Sequence, residues 1–263
     1  MIGIFDSGSG GLTVLRKMRE VPARMAQPGG LSNADVVYFG DIANAPYGSK
    51  SHAELSALTV HAIQFLQSRG ATSIVSACNS VSASLAISLF DIFSLAPTQL
   101  VEMVGPTVAQ FRDSEARILL CATPATIQSE IYQQAFQMIG KSITAVPLPE
   151  LAGAIEFGAS REEIKKIVQN GFDDLPLSRF DVLILACTHY PLVREVFEEL
   201  CEPAGVAVYD PAEAVAARAQ SLFAKSEQGS GTTTFCITKD SPSFRARVAE
   251  LFSRSSVTTE VVK

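Results

Sequence analysis

The sequence has 263 residues, of which 47% are hydrophobic and 18% charged, a composition typical of a folded, water-soluble chain with a real core. The formal net charge is −6 without a Lys/Arg cluster, which argues against nucleic acid as a partner, because phosphates require concentrated positive charge. No signal-peptide pattern is visible, and no window approaches the roughly 18 apolar residues of a membrane span, so no membrane partner is expected. The five cysteines include no CxxC pair, so we expect reduced thiols in the cytoplasm.

Short apolar runs alternate with helical patterns along the chain. Predicted strands cover residues 2–5, 36–39, 73–77, 117–121 and 182–186. Predicted helices cover residues 12–19, 51–70, 79–90, 128–139, 160–171 and 191–200. Two of these helices begin with a capping-box pattern, Ser51 with Glu54 and Ser160 with Glu163. Strands this apolar, separated by helices, predict an α/β fold in which a parallel sheet is covered on both faces.

The second half of the chain echoes the first. Residues 2–5 and 118–121 are each followed by a small-residue turn, and SIVSACNS at 73–80 resembles VLILACTH at 182–189. Two similar α/β domains would explain the echo. The alternative is that any α/β chain repeats the pattern of apolar strand, small residue and polar turn. The clearest loops are residues 23–34 and 225–233, and neither is long enough to be a tether between domains.

Two cysteines, Cys78 and Cys187, each follow a predicted strand and precede a predicted helix. Ligands bind beyond the carboxyl ends of parallel strands, and a helix N-terminus favours a thiolate. A single cysteine there is more often a small buried hydrophobe, but two at matching positions favour function. Paired thiols suit the inversion of a stereocentre, which requires a base on one face of the carbon and an acid on the other. A nucleophilic enzyme would instead use one cysteine with a histidine base, and His189 lies close to Cys187 in sequence.

Two loops follow the first two predicted strands. The loop DSGSGG at 6–11 places Asp6 beside glycines that allow close backbone approach, and it matches neither common nucleotide-binding motif. The alternative is a glycine-rich turn in which Asp6 caps a helix. In the second loop, Pro46, Tyr47 and Gly48 offer backbone donors and a phenol to a carboxylate, or form an ordinary turn.

The remaining cysteines and histidines show no catalytic or metal-ligating pattern. Cys121, Cys201 and Cys236 have no neighbouring histidine or acid and are predicted to be structural. His52 and His61 lie nine residues apart on one predicted helix, as surface or packing residues. A metal site at Cys187 and His189 lacks further ligands at a diagnostic spacing. We therefore expect no metal.

Five ordered motifs together resemble the glutamate racemase family, within the wider aspartate/glutamate racemases, over nearly the whole chain. The motifs are IGIFDSGSGGLTVL at 2–15, VYFGDIANAPYGSKS at 37–51, ACNSVSA at 77–83, CATPATIQSEIY at 121–132 and LACTHYPLV at 185–193. The resemblance implies two α/β domains, residues 1–101 plus 209–263 and residues 102–208, with the active site in the cleft between them. It also implies an isomerase without pyridoxal phosphate or metal, in which a homodimer is allowed.

The resemblance also implies roles for single residues. Cys78 and Cys187 would be the two catalytic thiols, assisted by Asp6 and His189. The substrate-binding positions would be Asp6, Ser7, Pro46, Tyr47, Gly48, Asn79, Ser80, Thr126, Glu156, Thr188 and His189. The small-molecule partner would be glutamate, with D-glutamate feeding peptidoglycan synthesis.

The chain departs from the family pattern at a few positions. Ser80 stands where Thr is usual, Ile42 stands where Thr is common, and the loop at 23–34 is longer than usual. The first two changes concern selectivity for the substrate side chain more than the acid–base pair. The first alternative is therefore a racemase of aspartate or another amino acid. Two separate alternatives are a single-thiol lyase, isomerase or decarboxylase on this fold, and a two-lobed binding protein.

Overall fold

The computed structural model describes residues 1–20, 30–82, 95–252 and 257–262. Within these ranges the strands are β1 (Ile2–Asp6), β2 (Val36–Gly40), β3 (Ser73–Ser76), β4 (Leu100–Val101), β5 (Ile118–Ala122), β6 (Ile143–Pro147), β7 (Val182–Ala186), β8 (Ala207–Tyr209), β9 (Thr233–Ile237) and β10 (Val257–Val261). The α-helices are α1 (Leu12–Glu20), α2 (His52–Ser68), α3 (Asn79–Ser82), α4 (Val104–Ala109), α5 (Pro124–Gln128), α6 (Ile131–Met138), α7 (Leu151–Glu156), α8 (Arg161–Phe172), α9 (Arg194–Cys201), α10 (Ala212–Phe223) and α11 (Pro242–Leu251).

The strands form two sheets in which every pairing is parallel. The first sheet has the order β10-β9-β2-β1-β3-β4 and the second has the order β6-β5-β7-β8. The order β2-β1-β3-β4 in the first sheet is therefore repeated as β6-β5-β7-β8 in the second. This confirms the prediction of two similar parallel-sheet domains, and it makes β3 and β7, the strands before the two cysteines, equivalent in topology.

The central strands are buried on both faces, which explains their nearly continuous apolar sequences. All five residues of β1, β2, β5 and β7 are buried. Hydrophobic cores lie on both sides of each sheet, with Ile4 and Phe5 of β1 in different cores and likewise Leu119 and Leu120 of β5. Alternate side chains of a strand point to opposite faces, so one apolar run supplies two cores.

Most of the predicted elements are confirmed, and the differences have local causes. Both predicted capping boxes are present at the starts of α2 and α8. The helix predicted over 128–139 is present as α6, but it begins at Ile131, because Glu130 takes a left-handed backbone conformation (φ 55°) that separates α6 from α5. The helix predicted over 191–200 begins as a 3₁₀ turn at Tyr190–Val193, where Pro191 lacks an N–H, and continues as α9.

Two predicted segments lie partly outside the described residues. Of the helix predicted over 79–90, only α3 is described, and the loop at 23–34 is described only from residue 30 onward. The helix predicted to end at Gly171 continues to Phe172. Within the described residues no helix is long and apolar enough to cross a membrane.

The chain enters the second sheet and returns to the first. Strands β5 to β8 are contiguous in sequence, whereas β9 and β10 extend the first sheet beside β2. Helix α10, which follows β8, packs against α1 near the N-terminus. The domain bounds given above stay a prediction, and Tyr209, the last residue of β8, lies one residue beyond the predicted second domain.

Candidate active site

One small cavity is lined by segments that follow strands of both sheets. Ligands bind at such strand ends in open α/β sheets. Eleven of the residues predicted for the site line the cavity: Ser7, Pro46, Tyr47, Gly48, Cys78, Asn79, Ser80, Glu156, Cys187, Thr188 and His189. Its volume is about 10 Å³, close to the space that one water molecule requires. A ligand the size of an amino acid therefore enters only when these segments move apart.

The other two predicted residues, Asp6 and Thr126, lie directly behind this lining. Asp6 Oδ2 accepts a hydrogen bond of 3.0 Å from the hydroxyl of Thr188, which comes from the second half of the fold. Thr126 Oγ1 lies 3.4 Å from Ser80 Oγ, which comes from the first half. Both contacts cross between the halves, so the structure brings every predicted site residue into one cluster.

The Cys78 thiol lies between the end of β3 and the start of α3, and it is buried. Burial raises the pKa of the Cys78 thiol, and the charges of Asp6 and Cys187 raise it further. Backbone N–H groups of Ser80 and Val81 donate to the sulfur and act in the opposite direction. The neutral thiol is therefore the stable form, and these two donors lower the cost of forming its thiolate.

Cys187 lies at the equivalent place after β7, but its neighbours are different. Its sulfur is 4.0 Å from His189 Nδ1, and His189 Nε2 is 2.7 Å from Glu156 Oε2. Burial lowers the pKa of His189, yet the contacts with Cys187 and Glu156 outweigh it and hold that pKa well above its usual value. Burial likewise raises the pKa of Glu156, but bonds from His189 and Ser9 outweigh it and lower that pKa to about 2. The geometry supports an imidazolium beside the thiol, held by a carboxylate.

Asp6 is a fully buried carboxyl group at the end of β1. Its Oδ1 accepts a hydrogen bond of 3.1 Å from the N–H of Gly8, in addition to the Thr188 bond to Oδ2. Burial raises the pKa of Asp6, while the charge of His189 and these hydrogen bonds oppose the rise. A carboxyl group with a raised pKa exchanges protons closer to neutral pH than an exposed one.

Polar side chains from both halves line the cavity near Cys78. Ser80 Oγ lies 2.9 Å from Thr123 Oγ1, a residue that the sequence analysis missed. The amide oxygen of Asn79 accepts a hydrogen bond of 2.6 Å from the phenol of Tyr132. The buried amide nitrogen of Asn79 has no partner among the described residues. The amide therefore offers two donors at the cavity, which suits a carboxylate ligand.

The loop after β2 brings Pro46, Tyr47 and Gly48 to the cavity, as predicted. The phenol of Tyr47 donates a 2.6 Å hydrogen bond to Asp41 Oδ2, so its carboxylate partner here belongs to the protein. A Cβ atom at Gly48 would lie 2.7 Å from Thr123 Cβ, so only glycine permits this approach of the two halves.

The glycine loop after β1 serves close packing between the halves. A Cβ atom at Gly8 would lie 2.6 Å from Glu156 Oε2, and one at Gly10 would lie 2.6 Å from Thr188 Oγ1. Both contacts are shorter than real Cβ contacts allow. The glycines therefore let the loop of the first half lie against the acid–base groups of the second.

Sequence reasoning missed several residues that support the site. Ser9 donates to Glu156, Ser243 donates to the Glu156 carbonyl, and Arg247 contacts both Ser9 and Glu156. Ser9 lies in the glycine-rich loop at 6–11, but no spacing in the sequence points from it to Glu156. Ser243 and Arg247 lie in no motif.

The residues predicted to be structural lie away from the cavity lining. Cys121, Cys201 and Cys236 are buried free thiols, and His61 packs its ring against Phe39. Among residues 1–20, 30–82, 95–252 and 257–262, no group of three or more His, Cys, Asp or Glu side chains is arranged to hold a metal ion.

Comparison with known proteins gives consistent matches over most of the chain. A model of the Asp/Glu/hydantoin racemase family matches residues 2–219. Glutamate racemase 3 of Caldanaerobacter subterraneus subsp. tengcongensis is 34% identical over 253 residues, covering 92% of this chain and 87% of that protein. Glutamate racemase of Aquifex aeolicus is 37% identical over 234 residues, covering 88% of this chain and 85% of that protein. The crystal structure of Francisella tularensis glutamate racemase in complex with D-glutamate has a TM-score of 0.84 and 25% identity, covering 100% of this chain and 97% of that one.

These matches fit the two-sheet fold and the thiol-lined cavity, and together they define an amino-acid racemase. More particularly, the chain belongs to the Asp/Glu/hydantoin racemase family, and the curated relatives reported above are glutamate racemases. The resemblance inferred from the five sequence motifs is thereby confirmed.

Proposed function

We propose that this chain interconverts L- and D-glutamate, with Cys78 and Cys187 as paired acid–base thiols and without a cofactor. The observation that carries the proposal is that these two cysteines follow equivalent strands of a repeated sheet and line one cavity. Inversion of a carbon by proton exchange requires a base on one face and an acid on the other. The similarity to glutamate racemases, one of them solved with D-glutamate, supports glutamate as the substrate.

The proposed reaction is one proton exchange at the substrate Cα. A thiolate removes the Cα proton, so that the C–H bond breaks and its electron pair stays on the carbon. The opposite thiol then transfers its proton to the other face of the carbon and is left as a thiolate. Neither a net proton nor an electron is consumed, and the reverse reaction restores the starting protonation of the two sulfurs.

The neighbours of each thiol assist its proton transfers. The charge of Asp6 acts on Cys78 and raises the pKa of its thiol. His189 contacts the sulfur of Cys187 and is held by Glu156. His189 lies beside the Cys187 sulfur, where it can give a proton as an imidazolium or accept one as an imidazole.

Binding of the substrate falls to the polar groups of the cavity. Asn79 offers amide donors, and Ser7, Ser80, Thr126 and Thr188 offer hydroxyls and N–H groups to the carboxylates. Pro46, Tyr47 and Gly48 also line the cavity. In a cytoplasmic enzyme the D-glutamate product would supply peptidoglycan synthesis, and a homodimer stays a prediction.

The substrate is tested by following optical activity. With total amino acid constant and no added cofactor, circular dichroism should decay to zero from either L- or D-glutamate. A panel of L- and D-amino acids in deuterated water should show Cα exchange fastest for glutamate. Rapid exchange of aspartate or another amino acid without exchange of glutamate would reject glutamate as the substrate. The assignment as an amino-acid racemase would stand.

The two-thiol mechanism is tested by single substitutions. Cys78→Ser and Cys187→Ser should each reduce racemisation by at least roughly 100-fold, the contribution expected of a positioned acid or base. Cys201→Ala, a buried thiol outside the cavity, is the matched control and should retain activity. Full activity in either serine variant would favour a single-thiol enzyme. Binding of glutamate by a wild-type protein that exchanges no proton would favour a binding protein.

A further inference from the structure

Arg247 on α11 reaches from the C-terminal part of the chain to α7 of the second half. One guanidinium nitrogen donates to the carbonyl oxygen of Ile155, and the other donates to Ser9 Oγ and lies 3.8 Å from Glu156 Oε2. The Arg247 side chain is only 18% exposed. A partly buried arginine with three such contacts is held in one geometry, since its donors form a planar fork.

The contacts of Arg247 and Ser9 converge on one oxygen atom of Glu156. Ser9 donates to Oε2 twice, from its N–H at 2.9 Å and from its hydroxyl at 2.7 Å. The same oxygen contacts His189 Nε2, while the buried Oε1 has no hydrogen-bond partner among the described residues. Ser9 comes from the first half of the fold and Glu156 from the second. The carboxylate that holds His189 is therefore itself oriented from across the junction.

Several titratable groups surround the cluster of Ser9, Glu156 and Arg247, and they come from different strands and helices. Asp6 is the last residue of β1, Cys78 follows β3, and Cys187 and His189 follow β7. Burial lowers the pKa of Arg247, and the charges of Glu156 and of Glu250 on α11 oppose that shift. Arg247 adds a positive charge beside a carboxylate whose other cationic neighbour is His189. Removing that charge disfavours the loss of a proton from every group nearby.

We propose that Arg247 is a positioning residue, which acts through Ser9 and Glu156 to orient His189 beside Cys187. The inference rests on the proposed two-thiol function, and it deepens that function by giving the Cys187 thiol a support that the Cys78 thiol does not share. Arg247 does not line the substrate cavity, and it lies beyond residues 2–219 that the family model matches. The five sequence motifs at residues 2–193 do not include it.

The test compares Arg247→Met and Arg247→Lys with Arg245→Met. Arg245 is a matched control, because it lies on the same helix and pairs at the surface with Asp240. Two measurements are made on each full-length protein: kcat and KM for both enantiomers of glutamate across pH, and the pH dependence of Cys187 alkylation by iodoacetamide, resolved by mass spectrometry. The alkylation measurement requires no turnover.

Arg247→Met should lower kcat roughly 10- to 100-fold, as expected for losing one charge-assisted hydrogen bond. KM should change little, because Arg247 does not touch the substrate. The acid limb of kcat/KM and the alkylation profile should both move to higher pH, because the lost cation no longer favours ionisation. Arg247→Lys should restore the position of both profiles but only part of kcat, since an ammonium lacks the planar fork. Arg245→Met should match the wild type.

Three outcomes separate this inference from its rivals. Wild-type kcat in Arg247→Met would overturn it. A lower kcat that follows a loss of thermal stability, with both pH profiles unmoved, would also overturn it in favour of a purely structural arginine. If the wild type fails to racemise glutamate while the alkylation profile still moves in Arg247→Met, the proposed substrate falls and the link from Arg247 to Cys187 stands.

Discussion

Replacement of Glu156 by Gln keeps the shape of the side chain and removes its charge from a buried pair with His189. The pKa of Glu156 falls from an ordinary 4.5 to about 2, because the bonds from His189 and Ser9 outweigh burial. A shift of this size corresponds to about 3 kcal/mol of stability. Glu156→Gln should therefore lower the free energy of unfolding by about 3 kcal/mol near pH 6.

The sign of the pH dependence follows from the two partners. Because the pKa of Glu156 is lowered on folding, its contribution is complete above 4.5 and is lost as the pH falls toward about 2. Because the pKa of His189 is raised on folding, its contribution is complete below 6.5 and is lost as the pH rises through the raised value. The difference in free energy of unfolding between wild type and Glu156→Gln should be largest between about pH 4.5 and pH 6.5. The pKa shifts of Glu156 and His189 report the same interaction, so their energies are not added together.

The measurement is urea unfolding followed by far-ultraviolet circular dichroism at about pH 3, 6 and 8. Glu162→Gln is the matched control, since Glu162 is exposed on α8 and its change should stay within about 0.5 kcal/mol. A Glu156→Gln variant that unfolds within about 1 kcal/mol of the wild type at pH 6, with the same pH dependence, would refute the reasoning.

Two further substitutions examine contacts that cross the site. Gly10→Ala places a methyl group 2.7 Å from His189 Nδ1, so activity should fall at least roughly 10-fold while the circular dichroism spectrum is retained; full activity would contradict the close packing. Tyr132→Phe removes the 2.6 Å bond to Asn79 Oδ1, which should cost about 1–3 kcal/mol in urea unfolding and raise the KM for glutamate. An unchanged KM would mean that Asn79 is oriented without Tyr132.

The five-residue buried strands could be predicted because each appears in the sequence as a continuous apolar run. Strand β7 was predicted with its observed ends, since all five of its residues are apolar and buried. In β6 only Val146 is buried, and β4 and β8 have only two and three residues, so none of these strands carries a clear hydrophobic period. Their pairing partners, rather than their own composition, make them strands.

Site residues likewise differ in whether a local sequence pattern marks them. Cys78 and Cys187 could be found because strand ends, small residues and motifs lie side by side in the sequence. The contact of Ser9 with Glu156 spans 147 positions and that of Arg247 with Ser9 spans 238, so neither leaves a spacing that a single sequence reveals. The later start of the helix predicted over 128–139 has a similar origin, because a left-handed conformation at a glutamate leaves no pattern in the sequence.

The two thiols have unequal neighbours, a carboxyl group for Cys78 and an imidazole held by Glu156 for Cys187. Mirror-image amino acids have identical free energies in water, so the equilibrium constant between them is unity. The quotient kcat/KM must then be the same for both enantiomers, whatever surrounds each sulfur. The unequal surroundings can only divide kcat and KM differently between the two directions. An enzyme that turns over one enantiomer faster must have a KM for it that is higher in the same proportion.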